Sequence, residues 1–398
     1  MGIPTGSGKR IASLDGLRGL AAMSVVGEHA MLVFPVFWAA FAARSWGAFD
    51  GPTWVGVVAF TPLKIFWSGG AAVSIFFVLS GAVLSLPFHG GKTIGIGKYA
   101  LKRMVRLYPV YFVGLLSAYI LYQIVGDTND PQTSAWFQRN WHVDIDTRDW
   151  ARALLFMKSD FLQLNSPLWS IIHEARISIL FPALMFAYRR NRFLTLSGSL
   201  AISACAIIFR LKFPNAGSDI ANLSDTVSVV WLFMAGAWIA ESRERIESAF
   251  EYVSAAPAFL LILVTILLLT AGFITPSPFY VSYFTTRGGA ILAVVLAISG
   301  HKAFNFLESR KNDWLGYVSY SLYSCHFPII YCVVKLADWT PLYVSVLAGC
   351  AIALIAALIL CRTIEAWSLR ASQAFRFDKT ASSALQEADV ASPLSIGS

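Results

Sequence analysis

Apolar residues fill this chain in blocks of about twenty, separated by short polar stretches. There is no sustained alternation of apolar and polar positions. Ten blocks lie near 16–40, 70–88, 106–125, 167–188, 194–212, 226–242, 256–274, 285–303, 317–336 and 342–363. Each is long enough to cross a hydrocarbon core of about 30 Å as a helix. A transmembrane β-barrel would show period-two alternation instead. The pattern predicts an all-α polytopic membrane protein with about ten transmembrane helices. It divides the chain into a short N-terminal segment (1–12), a transmembrane domain (13–365) and a polar, Ser- and Ala-rich tail (366–398). The tail is expected to be disordered, because it has little apolar surface to bury.

Composition sharpens this. The 398 residues are 57% hydrophobic and 14% charged, with mean hydropathy +0.61. A soluble domain is nearer 45–50% apolar and about 25% charged. The net charge of +8 does not signal nucleic acid, because the basic residues form no domain. They cluster between apolar blocks: Lys9 and Arg10; Lys92, Lys98, Lys102, Arg103 and Arg106; Arg189, Arg190 and Arg192; Arg243 and Arg245; Lys302, Arg310 and Lys311; then Arg362, Arg370, Arg376 and Lys379. This is the distribution that orients membrane helices, and it predicts both termini in the cytoplasm. The stretch after Lys9 and Arg10 is too long and too charged for a signal peptide, so it is read as a retained first helix.

The longest outward loop, about 126–166, carries Asp127, Asp130, Asp144, Asp146, Asp149 and Asp160 among Trp, Asn and Gln. It reads either as a solvated connector or as a lid or sugar-contacting surface, since long ordered loops are often functional. The five cysteines lie in or beside apolar blocks without metal-ligand spacing and are expected as free thiols. No metal, phosphate-loop or dinucleotide motif appears, and no metal is expected.

The chemistry lies in ionisable groups inside the blocks. Asp or Arg at a bilayer centre costs about 2.5–3.5 kcal/mol, so such groups face the bundle and are functional candidates. In "SLDGLRGLAAMSVVGEHAML", Asp15, Arg18 and His29 share one helical stripe. Arg18 and His29 are then about 16 Å apart along the axis. Asp15 and Arg18 can pair at i, i+3, while Glu28 points elsewhere. The fourth block holds Trp169, Ser170, His173, Glu174 and Arg176, and the ninth holds His326. His29, His173 and His326 are expected to converge on one interior cavity. Arg103 and Arg106 share a face at the third block's start, which suits either positive-inside flanking or a phosphate clamp. In "GGAAVSIFFVLSG" the small residues favour close helix packing. Ser80, within that stretch, is a weak nucleophile candidate without an evident base.

Five segments together resemble, in order, the membrane acyltransferase-3 family: "SLDGLRGLAAMSVVGEHA", "FFVLSG", "RMVRLYP", "SPLWSIIHE" and "YSLYSCHFPI". The resemblance spans about 13–365. It implies about ten membrane helices and transfer of an acyl group, usually acetyl, from cytoplasmic acyl-CoA to a carbohydrate hydroxyl. Exopolysaccharide, O-antigen and lipid-linked oligosaccharide are the implied acceptors, and the bacterial inner membrane is the implied location. A homodimer or polysaccharide-assembly partners are left open. His29 is implied as the catalytic imidazole, Asp15 as a partner of Arg18, and Arg18, Arg103 and Arg106 as coenzyme A contacts. Glu174 matches the family's acid after Leu-Trp-Ser, and His326 its late histidine. Trp169, Ser170 and His173 are further substrate-side candidates. Many members follow the acid with a second acid and an aromatic pair, where this chain has Ala175, Arg176, Ile177 and Ser178. No additional domain follows the last block, so the membrane part is expected to complete transfer alone or hand over to a partner. The competing readings are a proton-coupled transporter and a non-catalytic subunit of a polysaccharide export system.

Overall fold

A computed structural model of the chain describes residues 12–91, 95–126, 131–274 and 278–374. Lys9, Arg10, Lys92, Asp127, Asp130, Arg376 and Lys379 lie outside the described residues, as do most of the segments read as N-terminal extension and polar tail. The described chain is helical, in the order α1 (Ala12–Leu32), α2 (Pro35–Ala43), α3 (Thr53–Phe60), α4 (Gly69–Ser85), α5 (Ile96–Val125), α6 (Ala135–Gln138), α7 (Thr147–Leu154), α8 (Phe161–Leu164), α9 (Leu168–Arg190), α10 (Arg192–Lys212), α11 (Ser218–Ser228), α12 (Val230–Glu241), α13 (Arg243–Glu251), α14 (Ala255–Ile274), α15 (Phe279–Ile298), α16 (Arg310–Leu336), α17 (Leu342–Leu360) and α18 (Ala366–Ala374).

Eight helical segments among the described residues are long and apolar enough to cross a membrane, nine when α1 and α2 count as one bent span. Helix α16 has 27 residues, about 40 Å, but its serines, histidine and charged start make it less apolar. Pro109, Pro182 and Pro328 lie inside α5, α9 and α16. Helices in a bundle tolerate this because neighbours satisfy the freed backbone groups.

The first block is not one straight span. Helices α1 and α2 meet at 108°. Phe34 is extended, at φ −81° and ψ 129°, and Pro35 opens α2. Proline clashes with a helical predecessor, so the chain turns where the apolar pattern alone reads straight on. At the other end, a five-residue π turn (Cys361–Glu365) leads into α18, so ordered helix continues nine residues past 365.

Helices α1, α4 and α16 form the centre, surrounded by α5, α9, α12 and α15. On the periphery, Leu260, Leu263, Leu347, Ile355 and Ile359 are exposed on α14 and α17, as a lipid-facing surface requires. All five cysteines are free thiols. The long loop is neither apolar nor a loose connector. Asp146 caps α7 in a reciprocal capping box, and the backbone N–H groups of Asp149 and Arg148 hold its carboxyl below the usual carboxylate range. Phe137 and Trp141 are buried against Tyr331, with ring centroids 4.0 and 4.4 Å away.

The crossing of α1 and α16 depends on two glycines. A Cβ at Gly19 would lie 2.5 Å from the Gly316 nitrogen, and one at Gly316 would strike the Asp15 carbonyl. Gly316→Val is therefore expected to destabilise the fold by the ~1–3 kcal/mol of an overpacked core. Thermal unfolding in detergent checks this, and an unchanged midpoint would contradict so close a crossing.

Candidate active site

Between these central helices lies a cavity of about 130 Å³. Helix α5 contributes Arg103 and Arg106, one turn apart. Helix α9 contributes Ser170 and Glu174, and α1 contributes Arg18. One face of α16 supplies Ser319, Tyr320 and Tyr323. Arg18 donates to Asp15 at 2.6 Å, to Ser319 Oγ at 3.1 Å and to the Gly316 carbonyl at 3.2 Å. Asp15 is fully buried behind Arg18 and is not among the lining residues. It holds the Arg18 guanidinium and does not reach the cavity. Ser80 Oγ donates to Glu174 Oε1 at 2.8 Å, which fixes the carboxylate at the cavity wall.

A second carboxylate went unnoticed in the sequence. Glu365 closes the π turn, lines the cavity and accepts from Ser321 Oγ at 2.6 Å. Single π turns often occur at functional sites. In "CRTIEAW" it resembles ordinary charged flanking at a span's end, with no periodic signal.

His29 and His326 meet, with His29 Nδ1 2.9 Å from His326 Nε2. His326 Nδ1 lies 2.8 Å from the Leu322 carbonyl. A carbonyl only accepts, so His326 Nδ1 carries its proton and, in the neutral ring, Nε2 accepts. His29 Nδ1 must then donate, which leaves the lone pair on His29 Nε2. The backbone thereby selects a tautomer two rings away. The His29 ring stacks on Trp136 (centroids 5.9 Å, planes 12° apart) and meets the edge of Phe327 at 5.3 Å.

The arginine cavity ends one aromatic layer short of this pair. Tyr323 lines the cavity, shares a 2.6 Å hydrogen bond with Ser170 and lies 6.1 Å, ring to ring, from His326. Phe76 packs edge-on against it at 5.5 Å.

The expected convergence of three histidines on one interior cavity is corrected: His29 and His326 meet each other, His173 lies apart, and none of the three lines the arginine cavity. His173 Nδ1 lies 2.8 Å from Thr226 Oγ1, to which Arg176 also donates at 2.8 Å. Trp169 meets His173 edge-on at 5.5 Å, and neither lines the cavity. The reason is helical phase. Ser170 and Glu174 share one face of α9 at i, i+4, and Trp169 and His173 share the adjacent one.

Glu28 is structural. Its Oε2 accepts from the Gly69 backbone at 2.9 Å, at the start of α4. One turn earlier, Ser24 Oγ donates to the Ile65 carbonyl at 2.8 Å and accepts from the Ser68 backbone at 3.0 Å. Nearby Lys64 is fully buried, its Nζ 3.0 Å from the centre of a Trp67 ring. Among the described residues, no group of three or more His, Cys, Asp or Glu side chains could hold a metal ion.

The acyltransferase domain family, acyltransferase-3, matches residues 11–362. A Bacillus subtilis (strain 168) protein, provisionally named peptidoglycan O-acetyltransferase YrhL, is 25% identical over 367 residues, covering 80% of this chain and 48% of that protein. The chain thus spans about half the length of this relative. No solved structure matches it. The chain belongs to the acyltransferase-3 family of membrane proteins.

The Glu28 fastening predicts that Glu28→Ala lowers stability by about 1–3 kcal/mol, the cost of leaving a buried donor unpaired. Glu28→Gln keeps an acceptor oxygen and should lose less. Melting curves of the two variants in detergent would show that order, and equal losses would rule out the acceptor role.

Proposed function

We propose that this protein is an integral-membrane O-acyltransferase that moves an acyl group, acetyl in the first instance, from acyl-CoA to a carbohydrate hydroxyl. The observation carrying this reading is the His29–His326 pair, whose hydrogen-bond chain leaves a lone pair on His29 Nε2, one aromatic layer beyond a cavity walled by three arginines. Arg18, Arg103 and Arg106 suit the phosphates of coenzyme A, since guanidinium groups match phosphate oxygens in charge and shape. The cavity is smaller than the ~300–1,000 Å³ of a typical small-molecule site. It suits the thioester arm of a donor whose nucleotide stays outside.

In this reading His29 Nε2 takes the proton of the acceptor hydroxyl as the oxygen attacks the thioester carbonyl. The carbon–sulfur bond breaks, and the departing thiolate takes the proton back from the imidazolium. Protein, ester and coenzyme A thiol remain. His326 orients His29 and accepts its Nδ1 proton in a hydrogen bond throughout. Glu174, Ser170 and Asp15 act as positioning groups around the arginines and Tyr323.

The arginine end faces the cytoplasm, where acyl-CoA is made, and both termini lie on that side, in accord with the basic clusters between the spans. The location is the bacterial inner membrane. The transmembrane unit of residues 13–365 carries the reaction. The acceptor is a glycan of the cell envelope: exopolysaccharide, O-antigen, lipid-linked oligosaccharide or, as the name of the Bacillus relative suggests, peptidoglycan.

The test is transfer of labelled acetyl from acetyl-CoA to envelope carbohydrate by membranes containing the protein. His29→Ala at matched protein level should lower transfer at least about a hundredfold, the scale of a lost general base. His326→Ala frees the His29 tautomer and should cost at least about tenfold, as loss of an imidazole's orienting partner does elsewhere. Normal transfer by His29→Ala would overturn the mechanism. Proton-dependent uptake into vesicles without coenzyme A release would favour a transporter.

A further inference from the structure

His29 has a second side. Along α1 the order is Arg18, the cavity, His29, and then the break at Val33 and Phe34. The long loop docks at that break. Ser134 Oγ donates to the Leu32 carbonyl at 2.6 Å, and the Ser134 backbone donates to the Val33 carbonyl at 2.8 Å. Ser134 also caps α6, accepting from the Phe137 backbone at 3.1 Å. This anchoring sets Trp136 on the His29 ring, on the side away from the arginines.

The same short helix forms the wall of an open cleft of about 570 Å³, lined by Trp38, Ala135, Gln138, Arg139 and His142. The Arg139 guanidinium lies 5.3 Å over the Trp38 ring. Trp136 sits on the same short helix, about a quarter turn round from the cleft-lining face of Ala135, Gln138 and Arg139, and packs on the imidazole.

We propose that this cleft holds the acceptor saccharide and that Trp136 is the indole its reacting ring displaces or stacks on to reach His29. The chemistry of the lining recognises a sugar. Indole faces pack against the apolar face of a pyranose, and the two terminal nitrogens of Arg139, whose Nε is held by the Ala135 carbonyl at 3.2 Å, match adjacent hydroxyls. Until a sugar arrives, Trp136 and Phe327 cover part of the half-buried imidazole, which favours an alcohol over water as the acceptor of the thioester's acyl group. This inference rests on the acyltransfer reading above.

Full-length protein in host membranes is given labelled acetyl-CoA, and two quantities are read: label in carbohydrate, and coenzyme A thiol released after the acceptor has been washed out. Trp136→Ala should lower label in carbohydrate at least tenfold and raise acceptor-free thiol release severalfold, as water hydrolyses the thioester to acetate and free thiol. Trp136→Phe should lie between. Trp38→Ala, at the cleft wall and away from His29, should raise KM for N-acetylglucosamine oligomers used as probe while kcat stays within twofold. Where Trp136→Ala does not accumulate, this KM shift decides alone. Transfer by Trp136→Ala within twofold of wild type overturns the proposal. So does a fall in transfer and thiol release together, which would make Trp136 a mere support for His29. An unchanged KM in Trp38→Ala does the same. If the wild-type protein neither labels carbohydrate nor releases thiol, the acyltransfer reading itself has failed. Label extracted into organic solvent identifies a lipid-linked sugar, and label left in the aqueous polymer identifies a glycan chain.

Discussion

The contact of the α1 and α16 backbones at Gly19 and Gly316 is the constraint on which the rest of the structure depends. An ionisable group inside a membrane protein is tolerable only where a partner faces it. Gly316 lies by Asp15 and His326 by His29, so the two helices run in the same direction and share their polar stripes. One stripe supplies Asp15, Arg18 and His29; the other supplies the Gly316 carbonyl, Ser319 and His326. A side chain at either glycine would push the stripes apart and leave each polar group to find a partner in lipid.

Two compartments follow from that shared stripe. The arginine cavity approaches the imidazole pair from one side and ends at Tyr323 and Phe76. The loop approaches from the other and ends at Trp136. Each approach is closed by an aromatic ring in contact with a histidine. The proposed transfer, with a thioester and an alcohol arriving from opposite faces of a membrane, would need such an arrangement. On that proposal each would reach His29 without opening a continuous water path past it.

Much of this was legible in the sequence because it follows from helical phase. The i, i+3 pairing of Asp15 and Arg18 and the shared stripe with His29 needed only the helical repeat, and the basic pair Arg103 and Arg106 needed only spacing. The small residues of "GGAAVSIFFVLSG" pointed to close packing, and its last, Gly81, abuts the backbone at Phe233. What was hidden depends on contacts between distant segments. His173 looked equivalent to His326 until the phase of α9 against α11 turned it toward Thr226. Arg176 likewise reaches the Phe156 carbonyl at 2.9 Å and so ties α9 to the long loop. Glu365 depends on a π turn, which periodicity cannot register. Trp136 depends on a loop docking into a helix break set by Pro35.

The charges of the cavity close the argument. Three guanidinium groups, from Arg18, Arg103 and Arg106, meet three carboxylates, from Asp15, Glu174 and Glu365, either at the cavity wall or just behind it. Equal numbers of guanidinium and carboxyl groups there avoid a field of bare positive charge in a low-dielectric interior, which would be costly. Arg18 is already bonded to Asp15 and α16, whereas Glu174 accepts from Ser80 and Glu365 from Ser321. With their carboxylates held by hydroxyls on neighbouring helices, Glu174 and Glu365 balance Arg103 and Arg106 without occupying them in a tight fork. The proposed anionic donor could then take the guanidinium groups while the carboxylates keep their serines. On the proposed reading, charge balance and donor binding use different contacts.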